Sequence, residues 1–145
     1  MPTILGQRFD PLYQGWPPHM ATEDYAIWQR TRTKLLKNAK DVYFDVGLGG
    51  AKNIPEEYEP AYRRMWERLN QKRIDVLVDT GELWKIIELR PRATSTVIGR
   101  LLQYKTMWEA EPIDQRPVYL ILGTDIPDPD LISLAVSLKI EIITP

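Results

Sequence analysis

The stretch from Arg73 to Arg90 constrains the fold more than any other. Ile74, Val76 and Val78 alternate with Asp75, Leu77 and Asp79; Leu83, Lys85 and Ile87 then alternate with Trp84, Ile86 and Glu88. A two-residue period in apolar and β-branched side chains is the signature of a strand. Thr80-Gly81 lies between the two runs, and Gly81 supplies the positive φ that a tight hairpin turn needs. Residues 73–90 therefore predict an antiparallel hairpin. It sets Asp75 and Glu88 on adjacent strands, with Arg90 two residues after Glu88 and so on the same face.

Two carboxylates on neighbouring strands repel unless a positive charge lies between them. Mg²⁺ is one such charge, a hard ion that takes carboxylate oxygens and keeps several waters. With a side-chain cation to orient the attacking water, that set can hydrolyse a phosphodiester. Asp75, then Glu88-Leu89-Arg90, then a helix carrying Arg100 and Tyr104, resembles the PD-(D/E)XK nuclease superfamily. As a layout the resemblance covers roughly residues 23 to 123; as a motif it rests on a few residues. It implies a restriction-endonuclease-like αβββαβ core and a site made of Asp75, Glu88, Arg90, Arg100 and Tyr104. In an active member Asp75 and Glu88 would be the metal ligands, Arg90 and Arg100 would hold phosphate, and Tyr104 would support substrate or water.

Two positions depart from the family pattern. Its lysine is Arg90 here, and the glutamine of the following helix's Gln-x-x-x-Tyr is Arg100. Arginine stays protonated at every relevant pH, so Arg90 cannot act as a base, although it can hold an oxyanion bidentately. Placed between Asp75 and Glu88, it would fill the metal's position with its own charge. The expectation is a site that has lost or altered its catalysis: no cofactor, or Mg²⁺ if the site is catalytic. The other reading of the same residues is an ordinary surface pair on an edge strand.

The remaining segments predict one α/β domain. Residues 1–22 read as an extended, proline-rich arm, apolar enough through Ile4, Leu5, Phe9, Leu12, Tyr13 and Trp16 that it must lie on its own core or on another subunit. A helix is expected from about Glu23 to Asn38, capped by Thr22. The superfamily's first helix often donates an acidic ligand, and Glu23 is the only glutamate in this one. Its run Arg30, Arg32, Lys34, Lys37 and Lys40 reads as a solvated face that could touch phosphates. Asp41–Val46 is a strand, closed by a glycine cluster at 47–50 that no Gly-Lys-Ser/Thr follows, so it is a turn and not a phosphate loop. A loop covers 51–59, and a short helix from about Pro60 to Asn70 carries Tyr62, Met65, Trp66 and Leu69 at helical spacing. Arg63, Arg64, Arg68, Lys72 and Arg73 form the densest basic patch: a solvated face, or a contact to DNA or an acidic subunit. After the hairpin come a helix at 94–109 capped by Thr94 or Ser95, a nearly all-apolar strand at Val118–Leu122, a loop bearing Asp125, Asp128 and Asp130, a helix at 131–138 and an edge strand at 140–143. The aspartates are turn and cap residues, or ligands at the strand's carboxyl end. That order, read as residues 23–145, predicts a mixed central sheet flanked by helices.

Composition narrows the function classes. Length 145 suits one domain, and 43% hydrophobic with 27% charged residues is ordinary for a globular protein. Five Trp and seven Tyr are many, and point to a well-anchored core or to anchors at a protein interface. A net charge of −1 argues against tight nucleic-acid binding by the chain as a whole. With no Cys and one histidine, His19, neither a disulfide framework nor a His/Cys metal site is available. No apolar run approaches membrane length and no signal-peptide pattern opens the chain, so an intracellular protein without a membrane partner is expected. In size and in its sticky arm the chain is similar to small phage-encoded virion and head–tail proteins. The preferred expectation is a non-catalytic, nuclease-like assembly module docking through its arm to protein subunits, as a homo-oligomer, cytoplasmic when made and then in a virion. The alternatives are a Mg²⁺-dependent DNA endonuclease and a small immunity or regulatory protein.

Overall fold

The computed structural model describes residues 3–49 and 57–145, with the side chains of residues 67–70 outside that description. Gly50, most of the 51–59 loop, and the side chains of Arg68 and Leu69 thus lie outside the described residues. The elements run β1 (Arg8–Phe9), α1 (Thr22–Leu35), β2 (Asp41–Leu48), α2 (Pro60–Asn70), β3 (Lys72–Asp79), β4 (Trp84–Arg92), α3 (Ser95–Ala110), β5 (Val118–Ile126), α4 (Pro129–Ser137) and β6 (Ile140–Ile143). The strands form one six-stranded mixed sheet in sequential order. β1 to β4 are antiparallel neighbours, while β5 and β6 join in parallel after the crossovers through α3 and α4.

Each face of the sheet carries a core. On one, Trp84, Ile86, Leu120 and Leu122 pack beneath Val97, Leu101, Tyr104 and Trp108 of α3 and Leu131 and Ala135 of α4. On the other, Val42, Phe44, Val76, Val78, Ile87 and Ile121 pack beneath Ile27, Trp28 and Leu35 of α1. Burial on both faces is what an apolar β5 requires. The strict alternation expected along β3 fails at one place. Ile74 leaves the face of Val76 and Val78 and joins the α3 core together with Val46. Asp45, between the paired rungs Phe44–Val76 and Val46–Ile74, has φ of 54°, a left-handed conformation that turns the strand locally. Gly81 takes the expected positive φ, 88°, but the turn is longer than Thr80-Gly81: it runs from Thr80 to Leu83, closed by the Asp79–Trp84 pair.

Helix ends differ from expectation. Ala21, not Thr22, is the N-cap of α1, and that helix stops at Leu35; Asn38, at φ 63°, lies beyond it. Thr94 occupies the N-cap of α3 without a side-chain cap bond. The cationic run of α1 is not simply solvated: Arg30 pairs with Asp125 at 2.7 Å, Arg32 donates to the Pro11 and Tyr13 carbonyls at 3.0 and 2.8 Å, and Lys34 donates to the Thr144 carbonyl at 2.8 Å.

Of the two places open to the arm, its own domain is the one it takes. β1 adds to the β2 edge, Ile4 bridges Gly47, and Phe9 is buried against Phe44. Trp16 stacks on Tyr25 of α1 at 3.9 Å between ring centroids and donates its indole N–H to the Met20 carbonyl. The arm thus packs on its own domain through Ile4, Phe9 and Trp16, while Leu12 keeps 78% of its surface exposed.

Candidate functional site

Three neighbouring strands change character at one rung. The β3–β4 ladder pairs Asp79–Trp84 through Val76–Ile87 and goes no further. At the next rung side chains replace the backbone ladder: the Asp75 N–H donates to Glu88 Oε1 at 3.1 Å, and the Leu89 N–H donates to Asp75 Oδ2 at 3.0 Å. The carboxylates thus cross-link the diverging strands through each other's backbone. Beside them on β2 sits the left-handed Asp45, paired with Arg73 at 2.7 Å.

Arg90 lies against both acids. Its Nη1 is 3.1 Å from Asp75 Oδ2 and its Nη2 is 2.9 Å from Glu88 Oε2. Nη1 also donates to the Leu89 carbonyl at 2.6 Å. Glu88 has 0% exposure, yet its Oε2 has no aligned hydrogen bond beyond that ion contact. Burial, and then the neighbouring charge of Asp75, push the Glu88 carboxyl up to about 8 even though Arg90 opposes them. Burial likewise raises Asp75 above the usual aspartate range, against the Leu89 hydrogen bond and Arg90. Both carboxyls thus hold their protons more tightly than exposed ones, with Arg90 as the opposing charge.

Of the expected site residues, Asp75, Glu88 and Arg90 come together. Tyr104 is buried beside them, but its hydroxyl donates to the Arg73 carbonyl at 2.8 Å, which ties α3 to β3 and engages the proton it would offer a water or substrate. Arg100, exposed on α3, lies close enough to hold the Glu88 and Tyr104 pKa values down against burial, through its charge on both and a side-chain contact with Tyr104. With Arg90, Arg92, Thr94, Thr96 and Val97 it lines a cleft of about 230 Å³. The basic patch does not survive as a unit, since Arg73 is paired with Asp45.

One acidic neighbour was missed. Asp24, in the first turn of α1, has its carboxyl raised by burial and then by the charge of Asp75, with Arg90 pulling the other way. Glu23, the helix's only glutamate, is exposed. Adjacent residues on a helix point about 100° apart, so only the docking of α1 decides between them. Asp128 caps α4 by accepting from the Asp130 N–H, and Asp125, within β5 and not in a loop after it, is held by Arg30.

A second charged cluster, unmarked in the sequence, closes the opposite end of the sheet. Arg116 lies 4.4 Å over the Trp84 ring and pairs with Asp79 at 2.6 Å and Asp114 at 2.8 Å. Arg116 holds the Asp114 carboxyl down at about 2.

The residues present do not suit a dedicated Mg²⁺ site as they stand. A guanidinium lies against both carboxylates, and among the described residues no three acidic or histidine side chains group as metal ligands. No helix of the described residues is long and apolar enough to cross a membrane. No family model and no curated protein matches the chain. Among solved structures, a protein from Vibrio cholerae superposes with a TM-score of 0.45 and 14% identity, over 83% of this chain and 28% of that one. The chain therefore spans well under a third of that protein.

Proposed function

We propose that this chain is a nuclease-like domain without nuclease chemistry, working by binding as a module of a larger assembly of the kind a phage particle uses. One observation carries the reading: Arg90 bridges Asp75 and Glu88 at 3.1 and 2.9 Å, where an active member would bring a metal. An arginine supplies charge without Lewis acidity and without an exchangeable water, so it neutralises the pair and activates nothing. The protonated Glu88 and the hydrogen-bonded Tyr104 fit a structural cluster equally well.

A second reading, a Mg²⁺-dependent DNA endonuclease, is favoured by Asp24 standing as a third carboxylate near Asp75 and by Arg92 and Arg100 lining the adjoining cleft. Titration calorimetry with Mg²⁺ and Mn²⁺, on wild type and Glu88→Ala, with plasmid cleavage followed in the same samples, separates the two. Expected is no site-specific binding and no cleavage in either protein. Metal binding and cleavage that both vanish in Glu88→Ala would overturn the non-catalytic reading.

A further inference from the structure

We infer that the cleft beside the start of α3 takes a phosphate monoester dianion, carried on a small molecule and held by Arg92 and Arg100 without a metal. The cleft has about 230 Å³ and lies between the end of β4 and the first turns of α3. Two-residue spacing sets Arg90 and Arg92 on the face of β4 that carries Ile86 and Glu88, the face α3 covers. Four-residue spacing sets Thr96 and Arg100 one above the other on the helix. Three guanidiniums therefore converge on one opening.

Charge identifies the ligand. Arg90 is engaged by Asp75 and Glu88. Arg92 forms no ion pair with another described residue; Arg100 forms none either, and beyond its contact with Tyr104 it feels only the more distant charge of Glu88. Like charges brought to one opening repel unless an anion lies between them. A guanidinium fork matches two oxygens of a phosphate, and two forks match a dianion. The hydroxyls of Thr94 and Thr96 line the same opening, and Thr94 makes no side-chain cap bond that would engage it. Size and surroundings select a small carrier. The cleft falls below the roughly 300 Å³ at which pockets for drug-sized ligands begin. Arg73 is paired with Asp45, and a chain of net charge −1 offers a long polyanion no track. The larger cavity, about 350 Å³ beside Trp108, does not compete, because its Arg116 is already engaged by Asp79 and Asp114. The inference rests on reading Arg90 as the counter-ion of the two acids, and it names the ligand class that a domain working by binding would take.

Titration calorimetry in EDTA tests it, with inorganic phosphate, ribose 5-phosphate and ribose as probes, at about pH 7.5 where a phosphate monoester carries most of its second charge. Inorganic phosphate and ribose 5-phosphate should bind saturably and compete with each other, and ribose should not bind. Arg92→Gln and Arg100→Gln should each weaken binding about tenfold or more, the loss of a charge-assisted contact. Their circular dichroism spectra should match wild type, because both side chains are exposed. Arg8→Gln, at an exposed arginine of β1, should bind as wild type does. Absence of phosphate binding overturns the inference, as does binding that both cleft variants leave unchanged. So does a single-stranded oligonucleotide that binds where ribose 5-phosphate does not, with or without a 5′-phosphate. Phosphate binding that appears only with Mg²⁺ would overturn this inference and the non-catalytic reading together, whereas no phosphate binding beside no metal binding would overturn this inference alone.

Discussion

Glu88 has no exposed surface and pairs with Arg90, with Arg100 adding a smaller attraction, so its protonation and Arg90's presence are linked. The folded carboxyl titrates above the usual glutamate range, and therefore the folded state favours the neutral form. The stability this neutral form contributes is full below the ordinary glutamate pKa and is lost as pH rises through about 8. Glu88→Gln holds a neutral isostere there at every pH. Its urea midpoint relative to wild type should accordingly climb between pH 5 and pH 9; a constant difference would show that Glu88 titrates normally. Arg90→Ala leaves the acids without their cation. Breaking a buried pair costs about 3 kcal/mol or more, and here the full cost should appear only at pH 9, because at pH 5 the carboxyls can take up protons instead. Chemical denaturation of this variant at both pH values reads the difference. A loss that is the same at pH 5 and pH 9 would place Arg90's contribution in packing.

At the scale of elements, the arm behaves as part of the sheet. Phe9 is buried between Phe44 and Tyr13 while its strand continues the β2 edge, and Arg32 clamps the next turn through the Pro11 and Tyr13 carbonyls. Phe9→Ala should lower the unfolding free energy by about 3 kcal/mol, the usual cost of a vacated aromatic site. The same substitution should expose the arm to limited proteolysis near Leu12, which already has 78% of its surface in water. A variant as stable and protease-resistant as wild type would mean the arm contributes nothing to the domain. The arm's apolar content was legible in the sequence, but which surface it covers was not. An extended segment with alternating apolar residues looks the same whether the edge it joins is its own or another chain's.

For the molecule as a whole, periodicity was enough to place most elements. The period-2 runs gave β3 and β4, the all-apolar run gave β5, and the stripe of Val97, Leu101, Tyr104 and Trp108 gave α3, because those patterns follow from the pitch of a strand and a helix. The mixed α/β sheet follows from their order. Pairing of Asp75 with Glu88, and of both with Arg90, was likewise readable, since hairpin register and two-residue spacing fix those positions locally. Less was available for contacts between distant segments. The approach of Asp24 to Asp75 depends on the rotation of α1. The α1 cations act as ties because the sheet's far strands pass beneath them. Arg116 reaches Asp79 across 37 residues of chain. The reversal of faces at Asp45 and Ile74 needs a left-handed residue that no side-chain pattern announces. The sequence by itself determined the elements, the hairpin and the three charged groups at its open end, because each depends on spacings within a few residues. Tertiary structure alone decided that Glu88 loses all contact with water and that Arg116 joins Asp79 to Asp114, because burial and long-range pairing depend on what the other strands and helices bring alongside.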